Sequence, residues 1–374
     1  MRRTLEGYVA FFPNPLPRKV QFEDQTILRS EEATAALHRL VGVGLLLPNP
    51  ALLVTPYIRL EAVLSSRIEG TQTGVSELLQ FEVGADIDAV PHDAVEVLNY
   101  VKALDHGVAR LRQGFPLSLR LIREIHERLL EGVRGQVQRP GEFRRSPNWI
   151  GPPGCGLADA TFVPPPVDEM HDALADLERF LHEEGLPLLI RLAMAHHQFE
   201  VIHPFLDGNG RMGRLLMTLM LVDRGVLEQP LLYLSAYLER HRARYYDLLL
   251  QTTVTGDWAP WFDFFLDGVA TQAKDAQERT LRLIEVQTQI RRELLASTKN
   301  TTVLRLGELL LGKPVVTAGS VARDLAVAPP TAQRAIDDLV ERGMLEEITG
   351  RRTHRVYLAR EIMDSVYGEG RPGT

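Results

Sequence analysis

Twelve consecutive residues, His203-Pro204-Phe205-Leu206-Asp207-Gly208-Asn209-Gly210-Arg211-Met212-Gly213-Arg214, bring together an imidazole, a carboxylate, three glycines and two guanidiniums. A residue before proline is pushed out of the α region, so His203 sits in a loop just past a helix end, with its ring free to project. Gly208 and Gly210 let the backbone turn sharply and bring N–H groups close to a bound anion at the start of the next helix. The helix dipole adds positive potential at the same place. Along that helix Met212, Leu215, Leu216, Leu219 and Val222 form an apolar stripe, while Arg211, Arg214 and Thr218 share the other face. Two arginines one turn apart suit a polyphosphate tail. Asp207 supplies the single carboxylate with which phosphates commonly hold Mg²⁺, and His203 is placed to take a proton from an attacking hydroxyl. Each feature alone has an ordinary structural explanation; their combination has none in packing and points to phosphoryl-type or nucleotidyl transfer. Phe205 reads as a core anchor. His196 and His197 read as packing residues, since no acidic partner stands at ligand spacing.

The elements that must position these residues are mainly helical. Amphipathic spacing predicts helices over Ala94 to Leu111, Ser118 to Leu130, Val167 to Leu181, Pro187 to Ile202, Arg211 to Asp223, Arg240 to Thr253 and Trp258 to Lys274. One interruption stands out. Asn148-Trp149-Ile150-Gly151 and Thr161-Phe162-Val163 flank a Gly/Pro-rich tip from Pro152 to Gly156, which predicts a β-hairpin flap. Upstream, residues 1–92 form an extension. It has a proline-rich arm carrying Pro13, Pro15, Pro17, Pro48 and Pro50, a helix over Ser30 to Val43, and a helix over about 57–81 that bears Ser65 and Glu69 one turn apart. The core runs over 93–272. A polar linker helix from Gln272 to Ser297 lies within 273–300. The last unit, 301–374, has helices Ser320 to Ala326 and Thr331 to Arg342, a stop at Gly343, and strands around Leu345 to Ile348 and Arg355 to Leu358, the outline of a winged helix-turn-helix.

Composition fits a folded chain of two or three domains: 374 residues, 45% apolar and 24% charged. The net charge of −7 excludes a global attraction to nucleic acid or an anionic membrane. The single cysteine, Cys155, cannot form an internal disulfide. No signal peptide or membrane-spanning run is legible, so a cytoplasmic, non-membrane protein is expected.

At residues 203–214 the sequence resembles the Fic family, whose motif is H-x-F-x-(D/E)-G-N-G-R-x-x-R and whose fixed positions are all matched. The resemblance extends through Gly141-Glu142-Phe143-Arg144, Asn148 to Gly151 and Tyr245-Tyr246. It implies a Fic-type helical core with a short flap, and a protein adenylyltransferase that moves AMP from ATP to a Ser, Thr or Tyr hydroxyl of a target protein. By this resemblance His203 is the base and Asp207 holds Mg²⁺. Gly208, Asn209, Gly210 and Gly213 with Arg211 and Arg214 bind the ATP phosphates, and Tyr245 and Tyr246 approach the nucleoside. Asn148, Trp149, Ile150 and Gly151 align the target by strand addition. Ser65-Ser66-Arg67-Ile68-Glu69-Gly70 matches the family's inhibitory motif (S/T)-x-x-x-E-(G/N), so Ser65, Glu69 and Gly70 are expected to be regulatory, with Glu69 occupying Arg214.

A reading of another class makes the C-terminal unit a DNA-binding regulator or docking protein, with the Fic body as nucleotide sensor. Helix Thr331 to Arg342 would enter the groove, and Arg351, Arg352, His354 and Arg355 would meet phosphate. Residues 300–374 hold ten Lys/Arg and ten Asp/Glu, which weakens the DNA branch. Self-modification and a homodimer stay open at this level.

Overall fold

The computed structural model describes residues 1–4, 7–45, 51–84, 93–133, 135–152, 154–227 and 229–368. Pro48, Pro50, the boundary at 92 and the tail after 368 lie outside these residues. A short antiparallel pair, β1 (Arg2–Arg3) and β2 (Val9–Ala10), opens the chain. The extension continues as α1 (Asp24–Leu45), α2 (Ala51–Ile68) and α3 (Val75–Glu82). The core comprises α4 (Ala94–Arg112), α5 (Leu119–Leu129), α6 (Val167–His182), α7 (Leu188–Ile202), α8 (Asn209–Asp223), α9 (Ser235–Arg240) and α10 (Arg242–Thr255). Then come α11 (Ala259–Ser297), α12 (Thr301–Gly312), β3 (Val315–Thr317), α13 (Ala318–Leu325), α14 (Pro329–Glu341), β4 (Glu346–Glu347), β5 (Val356–Leu358) and α15 (Arg360–Tyr367). The fold is mainly α.

Helices α7 and α8 form the centre. Both are buried nearly all round, enclosed by α4, α5, α6, α10 and α11, their apolar residues in the core and their buried polar groups, such as His196 and Arg214, held by hydrogen bonds. Pro204 ends α7 and Gly208 caps α8, so the loop over 203–208, between two buried helices, holds His203 and Asp207. The arm packs along the body: Leu16 N–H and Arg18 both bond Asp176 on α6, and Phe11 N–H bonds the Val163 carbonyl at 2.9 Å.

Three expectations change. The helix over 57–81 is two helices, because Gly70 has φ +100° and breaks the chain after Ile68. Gly74 then starts α3, its N–H bonded to Glu77 at 2.7 Å. Glu69 therefore sits in a turn, not on a helix. The flap hairpin is reduced to one bridge, Ile150 opposite Phe162, with bonds of 2.8 and 3.0 Å. Pro152 and Pro164 to Pro166 lack the N–H groups that a longer ladder needs. The linker helix is no separate element: α11 runs unbroken for 39 residues, so the boundary at 272 falls inside it.

In the C-terminal unit β5 lies between β3 and β4, with Val315 and Glu346 both opposite Leu358. Helices α13 and α14 fall in the expected order. The unit is not detached, since α12 and α15 pack on α11 and α2. Leu79 of α3 joins Val315, Val356 and Leu358 in a small apolar cluster.

Candidate active site

His203 caps α7 in the left-handed region, φ +48°, with its N–H bonded to Phe199 O at 3.0 Å. Its Nδ1 lies 3.2 Å from the Glu200 carbonyl. A carbonyl only accepts, so Nδ1 carries the proton and the lone pair is on Nε2. Burial draws the imidazole down to about 4, which keeps it neutral at physiological pH. A neutral ring with one nitrogen anchored and the other open is the form a general base needs.

The loop beyond it is pinned through its backbone. Asn209 is buried, and its side chain accepts from Phe205 N–H at 2.9 Å and donates to Phe205 O at 2.8 Å. Its amide group therefore shapes the loop. Asn148 donates to the same Phe205 carbonyl at 2.9 Å. Gly208 has φ +76°, a conformation that favours glycine. Asp207 Oδ1 accepts from Gly208 N–H at 2.6 Å and lies 3.5 Å from Arg211 Nη2.

The two arginines, each 1% exposed, have different partners. Arg211 pairs with buried Glu96 of α4 at 3.1 Å, and its Nε has no hydrogen-bond partner among the described residues. Arg214 donates from Nε to Ser65 Oγ at 2.7 Å, and from Nη2 to Ser65 O at 2.9 Å and Glu69 Oε1 at 2.7 Å. Burial alone would raise the Glu69 carboxyl, but the Arg214 charge and hydrogen bond hold it below the usual carboxylate range. Glu69 Oε1 also lies over the start of α8, where a Cβ at Gly210 would come within 2.2 Å of it. The carboxylate thus rests on the helix N-terminus itself.

Models of the Fic/DOC family match this chain twice: the Fic/DOC N-terminal region over residues 27–109 and the Fic/DOC family over residues 116–221, together half of the chain. The chain belongs to the Fic/DOC family. It is 34% identical over 170 residues to the protein adenylyltransferase Fic of Aedes aegypti, covering 45% of this chain and 29% of that one. With the protein of the same name from Drosophila erecta it shares 30% over 177 residues, 46% of this chain and 32% of that one. The chain therefore spans under a third of the length of these relatives. Among solved structures, a Fic family protein from Desulfovibrio desulfuricans superposes with a TM-score of 0.59 at 21% identity, covering 92% of this chain and 98% of that one. Residues 134–508 of Fic-1 from C. elegans give 0.52 at 21%, covering 70% and 74%. At these identities the likeness is one of fold.

Within this Fic domain some motif residues serve the scaffold. Gly213 faces α7: a Cβ there would lie 2.4 Å from Glu200 Oε1 and 3.3 Å from Phe199. Tyr245 is likewise buried, its hydroxyl on His196 Nε2 at 2.8 Å, and braces that ring; Tyr246, 42% exposed, keeps a face to solvent. His196 and His197 are packing residues, and burial draws them down to about 3 and about 4. On the flap, Trp149 and Ile150 are 40% and 41% exposed, and the Trp149 indole N–H bonds Cys155 O at 3.0 Å.

Sequence reasoning missed three supports. Arg144 is buried and donates to the backbone carbonyls of His203, Ser146, Pro165 and Ile202, tying the catalytic loop to the flap base. Glu96 neutralises Arg211. Glu61, on α2, bonds Tyr100 at 3.0 Å and both polar groups of Ser235, and burial pushes it up to about 7. A charged side chain at a core-facing helical position was the available signal for Glu96 and Glu61.

Proposed function

We propose that this chain transfers AMP from ATP to a Ser, Thr or Tyr hydroxyl of a target protein, and that Glu69 restrains it. One observation carries the reading: the Glu69 carboxylate bonds Arg214 at 2.7 Å while lying over Gly210 at the start of α8. A carboxylate resting on a helix N-terminus beside a buried arginine stands where a nucleotide's anionic tail would bind. With Glu69 withdrawn, the tail lies along the backbone amides of Gly208, Asn209 and Gly210, and its terminal phosphate takes Arg214. The unpartnered Nε of Arg211 is a further donor that a phosphate oxygen satisfies. Tyr246 borders the nucleoside. His203 Nε2 accepts the proton of the target hydroxyl as that oxygen attacks the α-phosphorus and the bond to pyrophosphate breaks.

Asp207 is part-exposed beside the cradle and would hold Mg²⁺, with phosphates completing its shell; the ion offsets phosphate charge when bound. Among the described residues no group of three or more His, Cys, Asp or Glu forms a metal cluster, and a single carboxylate aided by phosphates needs none. The exposed segment at Trp149 and Ile150 pairs with extended backbone of the target, which tolerates varied side chains. The relatives named protein adenylyltransferase support the choice of AMP.

The test is labelling with radioactive ATP and Mg²⁺. Glu69→Gly is expected to raise labelling of the chain itself or of a partner, and His203→Ala to abolish it; no labelling with any Glu69 variant counts against the reading.

A second reading concerns the C-terminal unit. The packing of α12 and α15 on α2 and α11 favours docking over DNA binding, with the unit bracing the helix that precedes Glu69. A salt-dependent shift of duplex DNA by the full chain would reverse that preference.

A further inference from the structure

One buried side chain outside the motif touches the catalytic loop from beneath. His126, on α5, is 0% exposed, and its ring stacks on Phe205 with centroids 3.6 Å apart and planes 5° apart. Its Nδ1 accepts from the backbone N–H of Gly141 at 2.9 Å. The ring proton is therefore on Nε2, which donates to the carbonyl of Asp207 at 2.9 Å. Both nitrogens are used, and the partners fix the tautomer.

The consequence follows from peptide geometry. In a trans peptide the carbonyl and the next N–H point to opposite sides. Holding the Asp207 carbonyl toward α5 turns the Gly208 N–H the other way, where the Asp207 carboxylate accepts it at 2.6 Å. Contact with the ring is close: a Cβ at Gly208 would lie 3.3 Å from His126 Nε2.

We propose that His126 is a positioning residue for the phosphate cradle: by fixing the Asp207–Gly208 peptide it presents the Gly208 amide and the Asp207 carboxylate together on the face that receives a nucleotide's polyphosphate. This rests on the nucleotide-transfer reading above. The role belongs to the Nε2 bond, because that bond alone reaches the loop; the Nδ1 bond anchors the ring to Gly141. The stack on Phe205 keeps the ring in plane between them.

Asparagine and glutamine separate these contributions. An asparagine amide ends near the place of Nδ1 and keeps the Gly141 bond, whereas a glutamine amide ends near the place of Nε2 and keeps the Asp207 bond. The experiment uses the full chain carrying Glu69→Gly, which frees Arg214, and measures equilibrium binding of ATP with Mg²⁺ by calorimetry, with thermal melting of the same samples. His126→Gln is expected to bind within about threefold of its parent, and His126→Asn about tenfold more weakly than its parent, the range of one hydrogen bond. Both are expected to melt at similar temperatures, since each loses one bond. Equal affinities for the two variants, or a loss confined to His126→Gln, would overturn the assignment. Should His126→Asn fail to fold, His126→Phe, which keeps the stack and neither bond, replaces it and is held to the same tenfold loss. If the Glu69→Gly parent binds no ATP, the transferase reading falls and takes this proposal with it. If the parent binds and the variants do not differ, only the role of His126 falls.

Discussion

The catalytic loop at 203–210 and the flap at 148–162 meet through shared supports and are built in opposite ways. In the loop, Asn209 and Asn148 hold Phe205, Arg144 holds the His203 carbonyl and His126 holds that of Asp207. The flap has one bridge and two apolar side chains about 40% exposed. A base and an anion cradle act only if they are in place before the reactants arrive, whereas a surface that meets varied chains must stay adaptable. On the function proposed above, rigidity lies where bonds change and the contact with a target is loose.

The largest effect tests the rigid side. His203→Ala is expected to lower transfer by at least about a hundredfold, the range of a lost general base, with ATP affinity unchanged. A comparable loss of affinity would move His203 from the chemistry to binding. Next, Asn209→Ala strands the N–H of Phe205 and leaves its carbonyl to Asn148 alone, and is expected to cost about 1–3 kcal/mol of stability by chemical denaturation. A cost below about 1 kcal/mol would mean that the loop is not held as described.

Glu69→Gly probes the restraint on the loop side. Its removal is expected to raise transfer about tenfold to a hundredfold, the range of one coupling energy. The gain should be the same for any acceptor, because Glu69 touches Arg214 and the cradle and not the flap. A gain that varies with the acceptor would place the restraint on target binding.

Acid should act more weakly, and through buried histidines. Burial lowers His126, His197 and His203 to about 4 and His196 to about 3. The unfolded chain takes up these four protons as pH falls through about 6.5, while the folded chain does not, so stability falls toward acid. Glu61 and Glu200, raised to about 7 by burial, act against this: below 7 the folded chain holds two protons that the unfolded chain releases down to about 4.5. Four outweigh two. Stability should be greatest near pH 7 and fall by about 2 kcal/mol by pH 5.5, as read by denaturant titration at each pH. A rise over that interval would show that the carboxyls dominate.

How much of this was legible in the sequence follows the same division. The loop was readable because Pro204, Gly208 and the apolar stripe of α8 dictate a helix end, a turn and a buried helix locally. The match of Ser65 and Glu69 to an inhibitory motif was readable, but their geometry was not: Gly70 alone decides that Glu69 leaves the helix, and a glycine in a helical pattern does not announce its φ. The packing of Gly213 on Glu200 and of Tyr245 on His196 was not legible, because motif position says nothing about which neighbours each face of α8 or α10 meets. Arg144, His126 and Glu96 escaped because their partners lie 59, 81 and 115 positions away, at Arg144–His203, His126–Asp207 and Glu96–Arg211. The run of prolines that reduced the flap to one bridge was in view, and was outweighed by the β-prone residues beside it.

The smallest effect tests the loose side and is the sharpest check of the contrast. Trp149 has little packing to lose: it is 40% exposed, and the bond its indole N–H makes to Cys155 O lies within the flap. Trp149→Ala should therefore change stability by no more than about 0.5 kcal/mol. It should raise KM for a protein acceptor about threefold, while kcat and the affinity for ATP stay as they were, since nothing in the loop leans on the indole. A fall in kcat would mean that the flap helps to hold His203 or the cradle, and that the separation of a fixed loop from an adaptable flap is wrong. Arg144 bonds carbonyls on both sides, but its flap-side contacts are made at Ser146 and Pro165, outside the Ile150–Phe162 bridge that Trp149 adjoins.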